Sequence, residues 1–78
     1  MPTVMRIGPY RLYFYSHEPD EPPHVHIDRD DSSCKYWLQQ VTLARNRGFT
    51  AHELRQIQDL VGQHQAVLME AWNEYFGI

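Results

Sequence analysis

Over the first half of the chain, apolar and polar residues alternate with period two; over the last third they recur every three to four positions. The first pattern predicts strands and the second a helix, because side chains alternate between the faces of a strand but share a helix face at wider spacing. Val4 to Ile7 is a short apolar stretch closed by the turn signal Gly8-Pro9. Tyr10 to Tyr15 alternates strictly, with Tyr10, Leu12 and Phe14 on one face and Arg11, Tyr13 and Tyr15 on the other. These two segments predict a hairpin. Ser16 to Pro23 interrupts the pattern, since Pro19, Pro22 and Pro23 cannot donate to a ladder. His24 to Arg29 and Cys34 to Leu38, separated by Asp30-Asp31-Ser32-Ser33, predict a second hairpin. Val41 to Ala44 reads as a short fifth strand, and Arg45-Asn46-Arg47-Gly48 as a polar loop whose glycine can take a positive φ.

The helix start is the sharpest local signal. Thr50-Ala-His-Glu53 matches a capping box, with the Thr50 hydroxyl accepting from the Glu53 N–H and the Glu53 carboxylate reaching back. Phe49 and Leu54 have the spacing of a hydrophobic staple. Leu54, Ile57, Leu60, Val61, Val67, Leu68, Ala71, Trp72 and Tyr75 then fall on one broad face. An unbroken helix to the terminator Gly77 would run about 26 residues and about 39 Å. Gly62 lowers helix propensity and is a candidate bend.

Together these elements predict a single α+β domain over residues 1–78: an antiparallel sheet of four to five strands, in two hairpins, packed on one long C-terminal amphipathic helix. The expected helix-facing set is Tyr10, Leu12, Phe14, Val25, Ile27, Cys34, Tyr36 and Leu38. The opposite face would carry Arg11, Tyr13, Tyr15, His24, His26, Asp28, Lys35 and Trp37.

Composition narrows the function classes. A chain of 78 residues buries only about 60–65% of its unfolded surface, so a binding partner would add welcome burial. The net charge of −3 argues against broad electrostatic binding of nucleic acid. One cysteine, Cys34, excludes an internal disulfide and predicts a reducing, cytoplasmic setting. No secretory signal and no membrane span is expected from the sequence.

Candidate chemistry is sparse. His24 and His26 lie two residues apart on a strand, which places both imidazoles on one face about 6.5–7 Å apart along it. That suits two ligands of a divalent transition metal such as Zn²⁺, Ni²⁺ or Cu²⁺, with His17, Glu18, Glu21 or Asp28 as a third. The plainer reading has both rings bonded to loop carbonyls or to the acidic segment. His64 falls inside the apolar stripe, either as a core histidine bonded to a carbonyl or as a proton-transfer group. Arg45 and Arg47 precede a helix N-terminus and are candidates to bind an anion there. Tyr13, Tyr15 and Trp37 are candidate interface anchors. Cys34 has no flanking base and reads as a small core residue.

The segments Met1-Pro-Thr-Val4, Arg6-Ile-Gly-Pro-Tyr10, Glu21-Pro-Pro-His-Val-His26, Leu43-Ala-Arg-Asn-Arg-Gly-Phe49 and Glu70-Ala-Trp-Asn-Glu-Tyr-Phe76 resemble a family of small bacterial proteins known as domain of unknown function 4160. The Pro-Pro-His-Val-His run is the most specific of them. The resemblance implies a short cytoplasmic protein encoded beside a second small protein, in a toxin–antitoxin-like pair. It implies no active site. Two expectations follow: a small protein-interaction module that binds the neighbouring protein and also forms a homo-oligomer, or a metal- or histidine-dependent enzyme acting on RNA or another phosphate ester.

Overall fold

The computed structural model describes residues 3–15 and 20–77. Five strands form one antiparallel meander, β1 (Thr3–Ile7), β2 (Tyr10–Tyr13), β3 (His24–Arg29), β4 (Ser32–Trp37) and β5 (Thr42–Arg47), followed by helices α1 (Ala51–Gln63) and α2 (Gln65–Phe76). The two expected hairpins form across Gly8-Pro9 and Asp30-Asp31, and Gly8 and Asp30 both take positive φ there. The α+β class and the antiparallel sheet are as expected; the single long helix is instead two.

The division falls at His64, two residues beyond Gly62. His64 leaves helical geometry at φ −109°, ψ 13°, and its Nδ1–H donates to the Leu60 carbonyl at 2.9 Å, competing with the backbone ladder. The backbone bonds from His64 N–H to the Leu60 carbonyl and from Leu68 N–H to the His64 carbonyl carry across this point. Leu68 and Trp72 stay on the stripe of Ile57 and Val61, while the edges of that stripe differ from the expected ones. Val67 and Tyr75, placed on the buried stripe by a continuous wheel, are 53% and 43% exposed. Met69 and Phe76 turn toward the core beside the fully buried Leu68 and Trp72. Gly77 ends α2 in the left-handed region, as a terminator should.

The core lies between the helices and one sheet face. Leu12, Phe14, Val25, Ile27, Cys34, Tyr36 and Leu38 from the sheet side meet Ile57, Val61, Leu68 and Trp72 from the helices. The Tyr36 hydroxyl crosses this layer to donate to the Leu54 carbonyl at 2.8 Å. At the start of α1, Thr50 Oγ1 accepts from the Glu53 N–H at 3.2 Å, so half of the capping box forms. The other half does not. The Glu53 carboxylate is held by a two-point contact from Arg29, Nε at 2.6 Å and Nη2 at 2.7 Å, and by the Tyr10 hydroxyl at 2.8 Å. A charged fork outcompetes a single backbone N–H.

The segment Arg45-Asn46-Arg47 is not a loop. It completes β5, pairing Arg45 with Lys35, Asn46 with Cys34 and Arg47 with Ser33. All six residues of β5 are exposed. An edge strand with no covered face needs no apolar alternation, so its sequence looks like a loop. Ala44 is bulged out of the ladder between Arg45 and Leu43.

Candidate functional site

Cross-strand register arranges the outward sheet face in rows, because residues directly opposite in antiparallel strands share a face. One row runs Arg6, Arg11, Asp28, Ser33, Arg47. The next runs Tyr13, His26, Lys35, Arg45, and a third pairs His24 with Trp37 and Thr42. Arg6, Arg11, Lys35, Arg45 and Arg47 thus gather on this face, leaving only Arg29 and Arg55 elsewhere among the seven cationic residues. An acidic chain presents one basic surface.

A concavity of about 420 Å³ opens on this face, lined by Tyr13, Tyr15, His26, Lys35, Arg45 and Arg47 together with Ser33, Cys34 and Asn46. Residues that the sequence offered as three separate candidates, for metal, anion and interface, converge here. The arginines do so for a different reason than expected. Their side chains share the face of Lys35, away from α1, so the helix N-terminus contributes nothing to them. That terminus is occupied by Glu53, Arg29 and the Thr50 cap, while Asn46 braces the turn by bonding the Phe49 N–H at 3.1 Å and its carbonyl at 3.0 Å.

The floor of the concavity is closed. Tyr13 and His26 are each 4% exposed, stacked with ring centroids 5.3 Å apart, and Tyr15 sets its ring edge to face against both. Tyr13 donates to Asp28 Oδ1 at 3.0 Å; burial, then hydrogen bonding with Tyr15 and Asp28, raises its phenol well above the ordinary value and keeps it neutral. Of the three aromatic interface candidates, only Tyr15 and Trp37 therefore offer surface. Lys35 is paired with Glu21 at 2.5 Å and sits 4.6 Å above the Trp37 ring. Arg45 and Arg47 make no ion pair among the described residues.

His24 is fully buried at the sheet end. Its Nδ1–H donates to the Pro22 carbonyl at 2.9 Å, and its ring lies among His26 at 5.1 Å, Trp37 at 5.7 Å and Trp72 of α2 at 5.0 Å. Among the described residues no three His, Cys, Asp or Glu side chains are grouped to hold a metal; His17 and Glu18 lie outside those residues. His64 is half-buried at the helix break, remote in role from this face. Burial pushes the Cys34 thiol up to about 12, with the charges of Asp28 and Glu53 adding to the effect, so it is no nucleophile at neutral pH. Sequence reasoning missed Lys35 and Ser33 as site residues; the signal was their register against β5, which a loop reading of residues 45–48 concealed. Among the described residues no helix is long and apolar enough to cross a membrane.

No curated protein and no solved structure matches the chain. A family model, Domain of unknown function (DUF4160), matches residues 10–73. That span is well over half of the chain and takes in the second, third, fourth and fifth strands and most of both helices, and the protein belongs to this family.

Proposed function

We propose that this protein is a small interaction module, one half of a toxin–antitoxin-like two-protein system, whose partner is a small protein presenting an acidic surface to the outward sheet face. The observation that carries the reading is the gathering of Arg6, Arg11, Lys35, Arg45 and Arg47 on one face of a chain whose net charge is −3. A field of one sign at a concave surface speeds encounter with a partner of the opposite sign and selects against others. Co-expression with the neighbouring gene product tests it. The two should co-purify at low salt, and Arg45→Glu/Arg47→Glu should weaken the complex at least tenfold without loss of helical circular dichroism. A neighbour that never co-purifies defeats the reading.

One observation favours a second reading. His26 shares the concavity with Arg45 and Arg47, an imidazole beside two guanidinium groups that could hold a phosphate ester. An RNA cleavage assay on wild type and His26→Ala, with and without added Zn²⁺, separates the two readings.

A further inference from the structure

We propose that the partner docks by adding an acidic extended segment as a sixth strand along β5, with alternate carboxylates facing Arg45 and Arg47. This rests on the interaction-module reading and specifies how the contact is made. Among the described residues β5 is the last strand of the sheet, and no further strand pairs with the backbone groups on its far side. All six of its residues are exposed, and neither arginine is neutralised by an acid among the described residues. A strand laid beside β5 continues the existing rows. Its residues opposite Arg45 and Arg47 stand two apart, about 6.6–6.8 Å along the chain, with Cβ atoms about 4.5–5.5 Å from those of the arginines. Carboxylates at those two positions complete the rows that begin with Tyr13 and Arg6.

The same features exclude other occupants. A second copy of this chain pairing β5 against β5 would set arginines among arginines, and like charges opposite one another destabilise a ladder. The Ala44 bulge further blunts indiscriminate pairing. A single-stranded nucleic acid would look for open ring faces on which to stack bases. Here the Tyr13 and His26 rings are closed off at 4% exposure, and Lys35 covers Trp37. Tyr15 and Trp37 are only half-buried, but Tyr15 is packed edge to face against Tyr13 and His26. What the face chiefly offers is therefore charge and backbone, the two things an acidic strand uses.

A nine-residue peptide of alternating threonine and glutamate, blocked at both ends, tests the proposal. In a strand, the glutamate N–H groups point to one edge and the threonine N–H groups to the other. With the glutamates held on the outward face, only one of these sets can meet β5. Two isomers are therefore compared with the parent, one methylated at the glutamate nitrogens and one at the threonine nitrogens. The expected result is that the parent shifts the β5 amide resonances, one isomer loses at least tenfold in affinity, and the other binds like the parent. If both isomers bind like the parent yet Arg45→Glu/Arg47→Glu abolishes binding, strand addition is overturned while the charged-face reading stands. Absence of parent binding at millimolar concentration also overturns strand addition, and co-purification then judges the broader reading separately. Binding of oligouridylate in place of the peptide overturns the proposal in favour of nucleic acid.

Discussion

The two faces of the sheet are built by different chemistry, although solvent reaches little of either near the middle strands. Along β3, Val25 and Ile27 are fully buried against the helices, while His26, on the alternate side, is 4% exposed. His24, at the sheet end, is buried with its ring 5.0 Å from Trp72 of α2. The helix-covered face is closed by apolar packing. The outward face is closed by stacked rings, a buried phenol and the Lys35–Glu21 pair. Apolar packing is non-directional and adds stability in proportion to area, whereas polar networks chiefly fix geometry and are costly when half made. The outward face is therefore the place to look for recognition, because its order is not needed to drive folding.

Neighbouring residues on β3 give the largest test of this contrast. Ile27→Ala should cost about 2–5 kcal/mol, the range for emptying a well-packed apolar site. His26→Ala removes ring contacts with Tyr13 and Tyr15 and should cost about 1–2 kcal/mol, from aromatic pairs of about 0.5–1.5 kcal/mol each. Urea denaturation of the two variants decides the matter. Equal losses would make the outward face a second core and weaken the argument that it is reserved for binding.

The junction between β5 and α1 ranks next. Gly48 has φ +101°, and a Cβ there would stand 2.7 Å from Ser32 Oγ and 3.3 Å from its Cβ. Gly48→Ala combines an unfavourable backbone region with a crowded neighbour and should cost about 1–3 kcal/mol. Because this turn carries the chain from the outward edge strand to the core helices, the variant should also shift the β5 amide resonances. Unchanged stability would mean that the turn can open without disturbing either face.

Much of the core was readable from the sequence because its signal is local and periodic. Leu12, Phe14, Val25, Ile27, Cys34, Tyr36 and Leu38 alternate along their strands, and the structure buries all of them. The Thr50 cap and the Gly77 terminator are likewise written in neighbouring residues. The site was less readable because it depends on pairing between strands distant in sequence. Nothing local in Arg45-Asn46-Arg47 says that it lies beside Lys35 and Ser33. The helix break was hidden for a similar reason: Gly62 carries the obvious propensity penalty, while the interruption arises where the His64 ring bonds the Leu60 carbonyl. The Glu53 carboxylate went to Arg29, a partner 24 residues away that a capping motif cannot anticipate.

That carboxylate supplies a pH test confined to the helix-covered side. The Arg29 guanidinium holds Glu53 below the ordinary glutamate value of 4.5; burial opposes it, and the Tyr10 hydroxyl adds to the lowering. A carboxyl whose value is depressed on folding stabilises the folded state above its unfolded value and loses that contribution as pH falls through the folded one. Glu53→Gln should therefore be less stable than wild type at pH 7, with the gap narrowing as pH falls below about 4.5 and through the lower folded-state value. A Glu53→Gln gap that persists unchanged at low pH would show that shape, not charge, holds this corner.

The smallest effect runs in the opposite direction. Gly62 sits inside α1, where glycine is about 1 kcal/mol less favourable than alanine. A methyl group there would meet Val41 Cγ1 at 3.9 Å, an ordinary contact. Val41 itself carries strain: it is a β-branched residue at φ 53° in the turn from β4 to β5. That turn is tied down from the helix side, since the Gln65 amide donates to the carbonyls of Leu38 at 2.7 Å and Gln39 at 3.1 Å. Gly62→Ala should therefore stabilise the protein by up to about 1 kcal/mol and leave partner binding unchanged, because the added methyl points to the turn and not to the outward concavity. A stability gain accompanied by weaker partner binding would show that β5 must move against the helices to receive its partner, and would end the clean separation of a folding face from a binding face.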